Sequence, residues 1–197
     1  MTPQQIRTHL QNLRYSLNET QQKQHAQAAL SHFLPVLSAQ STTLDIAVFF
    51  SYNAELNTQP LIDYLLNHTA HRLYLPVVNF SEPGYMHFHR YTADTPLVAN
   101  RWGIMEPTTE QEISASELDW VITPLVGFNR QGHRMGMGGG FYDRSFAFKL
   151  KGHARTQLIG WAHSCQEYDK LPKEPWDVSL DSLVTEKEYT AFSCDSD

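Results

Sequence analysis

The sequence predicts an α/β fold in which a central, mostly parallel sheet is flanked by helices, and three observations carry that prediction. Apolar runs of strand length, residues 44–50, 73–78, 120–125 and 157–162, alternate with stretches of helical periodicity. Near-continuous apolarity is what a strand covered on both faces shows. A helix-patterned segment separates the first two runs, which makes a β-α-β unit; its parallel pairing and right-handed crossover put ligand loops beyond the carboxyl ends of the strands. Finally, 197 residues with 41% hydrophobic and 18% charged side chains can bury one core, and no repeat, linker or low-complexity run divides them. The expected architecture is a single three-layer, Rossmann-like domain over residues 1–197.

Element by element, Ile6, Leu10, Leu13 and Leu17 recur at helical spacing and predict a first helix, with Arg7 and Arg14, seven apart, on nearly the same side. Asn18 followed by Gln21 is a capping box for a second helix, expected to stop at about Leu34 because Pro35 follows. Residues 44–50 form the first buried strand, and residues 51–57 a polar loop at its carboxyl end. A third helix over residues 58–67 carries the stripe Leu61, Ile62, Leu65 and Leu66 into the second strand, 73–78. Pro83-Gly84 marks a turn before a more exposed strand, 85–91, where Met86, Phe88 and Arg90 alternate with His87 and His89. Residues 92–107 read as irregular. A third strand (120–125), a helix (142–150), a fourth strand (157–162) and a short last strand (182–185) complete the order.

Twenty-one acidic against fifteen basic residues give a net charge of −6, which repels phosphate backbones and argues against general nucleic-acid binding. Any anion site must therefore be local. The apolar runs are far shorter than the roughly 20 residues a membrane helix needs, and residues 1–5 lack the pattern of a secretory signal, so a cytoplasmic protein without a membrane partner is expected. Cys165 and Cys194 are too few for a disulfide framework and are expected to be reduced.

Five of the ten glycines fall between Gly132 and Gly140, in Gly132-His133-Arg134-Met135-Gly136-Met137-Gly138-Gly139-Gly140-Phe141-Tyr142-Asp143-Arg144. Backbone without Cβ atoms lets a ligand approach closely, and successive N–H groups leading into a helix make a concave anion site. Arg130, Arg134 and Arg144 against Asp143 make this segment locally positive, the reverse of the whole chain. The natural guest is phosphate. The spacing is neither Gly-x-x-x-x-Gly-Lys-Ser/Thr nor the dinucleotide fingerprint, since Phe141 stands where the third glycine would be. His87 and His89 lack a third ligand of zinc spacing, and His163-Ser164-Cys165 does not make a thiol nucleophile; the histidines are expected at the surface.

The block from Pro124 to Arg144, Pro124-Leu125-Val126-Gly127-Phe128-Asn129-Arg130 and onward through the glycine run, resembles the 5-formyltetrahydrofolate cyclo-ligases, also called methenyltetrahydrofolate synthetases. Three shorter matches stand in the right order: residues 51–56 with Glu55, residues 102–107 with Trp102, and Leu171-Pro172 followed by Trp176-Asp177. The resemblance covers nearly the whole chain. It implies a cytoplasmic, magnesium-dependent ligase that uses ATP to convert 5-formyltetrahydrofolate to 5,10-methenyltetrahydrofolate, as a monomer or weak homodimer whose partners are the reduced folate and ATP.

By that resemblance Arg7, Arg134, Met135, Gly136, Met137, Gly138, Gly139, Gly140, Phe141 and Tyr142 would hold ATP. Phe50, Glu55, Trp102, Met137, Gly138, Gly139, Gly140 and Phe141 would meet the folate, Arg134 and Glu55 would serve catalysis, and Asp143 and Asp177 would hold Mg²⁺. Where the family places a lysine four residues before Arg7, this sequence has Pro3; Arg14 is either a substitute cation or part of a solvated helix face. A carboxylate at a strand's carboxyl end suits the donor-rich pterin ring. Phe50 reads equally as core, and Trp102 as a stacking platform or a core residue. Two other readings keep the phosphate loop: a small-molecule kinase on a similar scaffold, and a nucleotide- or folate-binding module without turnover.

Overall fold

The computed structural model describes residues 1–78, 84–152 and 154–192; Pro83 of the expected turn and Cys194 lie outside them. Helix α1 (Pro3–Tyr15) is capped by Thr2, whose side chain accepts from the Gln5 amide, and Pro3 sits in the first turn. There its missing N–H costs nothing, which is why proline is tolerated at this position. Helix α2 (Glu19–Ser38) starts at the expected Asn18–Gln21 capping box but runs through Pro35. The carbonyl deprived of a partner belongs to Ser31, on the solvent side, while Leu37, 3% exposed, is buried one turn beyond Phe33. Burial of that last turn outweighs the proline, whose cost assumes a carbonyl left without water.

Strand β1 (Asp45–Ala47), helix α3 (Gln59–His68) and strand β2 (Arg72–Val78) form the expected β-α-β unit, with β1 and β2 parallel. The first strand is shorter than its apolar run because the ladder ends at Ala47; the chain continues past the sheet edge, and Phe49 and Phe50 turn toward a cavity. Strand β3 (Met86–Tyr91) pairs antiparallel with β2. Residues 92–107, expected to be irregular, contain a hairpin of β4 (Leu97–Ala99) and β5 (Met105–Pro107). Its strands are too short and too exposed to show a period of two. Strand β6 (Glu112–Ile113) edges the sheet beside β3, and β7 (Trp120–Thr123) pairs parallel with β1.

A second hairpin, β8 (Gly127–Phe128) with β9 (Arg134–Met135), precedes the glycine run. The helix expected over residues 142–150 breaks into α4 (Phe141–Ser145) and a 3-10 turn, Ala147–Lys151, which stops at Gly152. Strands β10 (Gln157–Trp161) and β11 (Ser182–Val184) extend the parallel sheet, and β12 (Tyr189–Ala191) closes its edge antiparallel.

The resulting order is β12-β11-β10-β7-β1-β2-β3-β6, with β11, β10, β7, β1 and β2 parallel. Alternate strand residues face opposite layers. Ile46, Ile122, Ile159 and Leu73 pack with Phe33 and Leu61 of α2 and α3, whereas Ala47, Val121, Leu158 and Tyr74 pack with Phe146 and Leu180 on the other side. Helix α1 belongs to neither layer: Ile6 and Leu10 pack on Val126, Met135 and Leu171 at the carboxyl end. From β1 the chain steps to β2 on one side, and β7 lies on the other. This is the topological switch point, where open α/β sheets leave a crevice for ligands.

Candidate active site

A cavity of ≈ 450 Å³ occupies that crevice, lined by the loop after β1, the β4–β5 hairpin and the glycine run. In the loop after β1, Asn53 (φ 50) and Ala54 (φ 57) are both left-handed. Two such residues in succession reverse the chain, so that the Glu55 carboxylate Oε2 accepts a hydrogen bond from the Tyr52 amide at 2.9 Å. Left-handed backbone costs a non-glycine residue about 1 kcal/mol, and such strain concentrates at functional sites. Ala54→Gly is therefore expected to raise stability by roughly 0.5–1 kcal/mol in urea unfolding; a lowered midpoint would mean that the Ala54 methyl group contributes packing worth more than the strain.

Burial raises the Glu55 carboxyl above its usual range, opposed by the Tyr52 amide and by the Arg14 guanidinium. Arg14 is 1% exposed, its Nη1 stands 3.9 Å from Glu55 Oε1, and all three of its guanidinium nitrogens are sealed from solvent without a hydrogen-bond partner. The reading of Arg14 as a solvated face is thereby overturned. The buried edge of α1 runs Ile6, Leu10, Arg14, and Leu13 of the expected apolar stripe is 37% exposed instead. The helix is rotated so that a cation, not a leucine, faces the cavity.

Phe50 is half-buried, meets Tyr91 edge to face at 5.7 Å, and lines the cavity, so it serves the core and the cavity wall together. Trp102 is 41% exposed and therefore not a core residue. Asn100 holds its loop by accepting from the amides of Trp102 (2.9 Å) and Ile104 (3.1 Å). The indole stands edge to face with Phe141, 6.2 Å between centroids, so one aromatic from each side closes the mouth of the cavity. Glu106, which the sequence does not single out, also lines the wall and accepts from Asn100 (2.8 Å) and the Val78 amide (3.1 Å). Its signal lay in the matched segment 102–107, where only the tryptophan drew notice.

On the opposite wall, β9 carries Arg134, whose side chain is 3% exposed, with Nη2 donating to Asp143 Oδ1 at 2.6 Å and Nε buried without a partner. Gly138 (φ +96) and Gly140 (φ +64) adopt backbone that only glycine takes without strain. Arg7 donates to the Gly136 carbonyl at 3.0 Å, and Arg144 ties the Gly84 carbonyl (3.0 Å) and the Gly139 carbonyl to one guanidinium. Gly136, Met137, Gly139, Gly140, Phe141 and Tyr142 line the cavity; Arg7, Met135 and Gly138 do not, and Met135 packs in the core. Burial pushes the Tyr142 hydroxyl above its usual range, so it stays protonated at neutral pH.

The local positive charge read along the sequence is rearranged in space. Arg130 is committed to Glu167 (2.8 and 2.9 Å) and Glu188 (2.6 Å), away from the cavity. Arg14, from the far end of the chain, takes its place among the cavity cations. Because α4 has only five residues, its dipole adds little. An anion here would be met by loop amides and guanidinium groups.

Asp143 lines the cavity, and its Oδ1 accepts from Arg134 and, at 3.2 Å, from the Val178 amide. The segment carrying Asp177 thus folds back beside Asp143, although the Asp177 Oδ2 accepts from the Glu174 amide at 2.8 Å. Among the described residues no hydrogen bond engages Asp143 Oδ2, and hard cations in phosphate sites take one or two carboxylates with phosphate oxygens and water. The donor set fits Mg²⁺.

Known proteins resemble this chain over most of its length. Residues 2–186 match the model of the 5-formyltetrahydrofolate cyclo-ligase family. The chain is similar to 5-formyltetrahydrofolate cyclo-ligase of Escherichia coli K12, 41% identical over 87% of this chain and 93% of the relative. It is likewise similar to that of Haemophilus influenzae, 39% identical over 92% and 96%. Among solved structures, the Aquifex aeolicus 5,10-methenyltetrahydrofolate synthetase superposes with a TM-score of 0.82 at 24% identity, covering 100% of this chain and 96% of that one. The Mycoplasma pneumoniae 5,10-methenyltetrahydrofolate synthetase does so with a TM-score of 0.75 at 23% identity, over 94% and 99%. Those two likenesses concern the fold, whereas the family match and the bacterial identities reach further: this chain belongs to the 5-formyltetrahydrofolate cyclo-ligase family.

Proposed function

We propose that this chain is an enzyme that closes the ring of 5-formyltetrahydrofolate to give 5,10-methenyltetrahydrofolate, consuming ATP in a magnesium-dependent reaction in the cytoplasm. The observation that carries this reading is the one cavity shared by two chemistries. Glu55, Phe50 and Trp102 offer a carboxylate and aromatic faces on one side, and Arg134, Asp143 and the Cβ-poor loop offer a phosphate cradle on the other. Residues 1–197 would act as one unit, since both core layers share the sheet that positions these two walls.

An N-formyl group is amide-like and weakly electrophilic. Transfer of the terminal phosphoryl group of ATP to the formyl oxygen, with release of ADP, makes that oxygen a leaving group; N10 then adds to the formyl carbon and gives up its proton, and phosphate departs as the ring closes. No protein nucleophile is needed, and among the described residues lining the cavity none is a serine, cysteine, lysine or histidine. What the chain must supply is position and charge. Glu55 accepts from the pterin donors, Phe50 and Trp102 bound the ring, and Arg134 with the amides of Gly136, Met137, Gly139 and Gly140 meets developing phosphate charge. Arg7 steadies the loop through Gly136, and Asp143 with the neighbouring Asp177 would hold Mg²⁺, which neutralises phosphate charge when bound.

Arg14, sealed from solvent, acts through Glu55: it is the charge that opposes desolvation of the carboxylate. Without it the Glu55 carboxyl rises further, because burial is then opposed by the Tyr52 amide alone. Arg14→Met is expected to move the acid limb of folate binding to higher pH while the KM for ATP stays within twofold; an unmoved limb would leave Arg14 a purely structural role.

The function itself is tested by mixing protein, ATP, Mg²⁺ and 5-formyltetrahydrofolate and following methenyl-folate absorbance together with ADP. Equimolar, folate-dependent formation of both is expected. ATP turnover indifferent to folate would favour a kinase acting elsewhere, and tight binding of both ligands without product would favour a non-catalytic module.

A further inference from the structure

We propose that His25, His163 and Glu186 form a binding site for a divalent transition metal of the zinc class, separate from the folate and nucleotide cavity. The three come from α2, from the end of β10 and from the turn after β11, and none of them lines the cavity. Their ligand atoms converge. His25 Nδ1 and His163 Nδ1 are 2.9 Å apart, His25 Nδ1 and Glu186 Oε2 are 3.8 Å apart, and all three ligand atoms lie within 4.8 Å of one another. A tetrahedral centre with bonds of about 2.05 Å sets its ligand atoms roughly 3.3 Å apart, between the two shorter separations. Small side-chain adjustments suffice.

Each member is also held from behind. Glu186 Oε2 accepts from the Ser164 amide at 2.8 Å and Oε1 from the Ser164 hydroxyl, which fixes the carboxylate plane and leaves lone pairs toward the histidines. His163 is fully buried, and its Nε2 is sealed without a well-formed hydrogen bond, with the Ala54 carbonyl acting on it. The His163 side chain also accepts from the Gln166 amide in the cap of the turn that follows, a bond that metal binding would replace. In the free protein a single hydrogen must lie between two Nδ1 atoms beside a carboxylate, and a cation replaces it with a bond to each.

His25, its side chain 22% exposed, opens the group to solvent and leaves a fourth position for water. Two imidazoles and one carboxylate favour zinc-like ions over Mg²⁺, which prefers oxygen. A bound ion would brace α2 against the carboxyl end of the sheet, where the Ala54 backbone, one residue before Glu55, acts on His163.

The test uses the full chain free of metal, nucleotide and folate, so it does not depend on the proposed reaction. Zn²⁺ titrated calorimetrically is expected to bind with one equivalent and a Kd of about 1 µM or tighter, and to raise the Tm. Co²⁺ should give the intense visible bands of a low-symmetry, four- or five-coordinate site. His25→Ala, which leaves the core intact, and Glu186→Gln should each weaken Zn²⁺ at least tenfold, and millimolar Mg²⁺ should not displace it. Equal affinity in both variants, or only weak uptake of several equivalents, would overturn the site. So would loss of the Co²⁺ bands in Cys165→Ser, which would assign the ion to a different ligand set.

Discussion

Arg134→Ala is expected to lower kcat by about 10²–10³-fold, roughly 3 kcal/mol of barrier, with the fold intact. Arg134 is the nearly buried cation of the proposed phosphate wall, with an Nε sealed and unpartnered among the described residues in addition to its bond to Asp143. In a site that excludes water such a donor is worth far more than at a surface. The fold survives because Asp143 is 21% exposed and keeps the Val178 amide. Arg134→Lys should recover little, since an ammonium cannot meet Asp143 and a phosphate oxygen as a planar fork does. Steady-state kinetics with thermal unfolding as the control decide the matter. A near-native rate in the alanine variant would shift the charge-stabilising role to Arg7 or Arg144.

Glu55→Gln is expected to raise the KM for 5-formyltetrahydrofolate by roughly 10- to 100-fold, the 1.5–3 kcal/mol of a charge-assisted hydrogen bond, while the KM for ATP stays within twofold. The pH dependence carries a second signature. Burial raises the Glu55 carboxyl above its ordinary 4.5, so folate binding is expected to be complete well above that raised value and to be lost as the pH falls through it. In the glutamine variant this acid limb should vanish. Equal losses for both ligands would instead mean that Glu55 acts by holding the strained loop at Asn53 and Ala54.

Much of this was legible before any coordinates. The β-α-β order, the Asn18–Gln21 cap and the glycine run follow from rules that act over a few residues: periodicity, capping and backbone without Cβ atoms. Such rules erred where a local preference met a long-range gain. Pro35 did not stop α2 because Leu37 is buried beyond it, and the run from Leu44 to Phe50 left the sheet once its ladder partners ended. The β8–β9 hairpin, with two residues per strand, offered too short a pattern to read.

The membership of the cavity was the least legible part. Helical spacing said that Arg7 and Arg14 share a side of α1, but not that the buried edge of the helix passes through Arg14 rather than Leu13. Local charge counted Arg130 toward the phosphate loop, and packing gave it to Glu167 and Glu188 instead. Thus the residue types of the chemistry, the carboxylate, the aromatics and the glycine-arginine loop, are written in short stretches of chain. Their assembly, Arg14 beside Glu55, Asp143 beside Val178 and His25 against His163 across 138 residues, depends on which faces the sheet buries. That is so because burial and Coulomb interaction depend on distance in space, and a short stretch of sequence fixes distance only within its own helix, strand or turn.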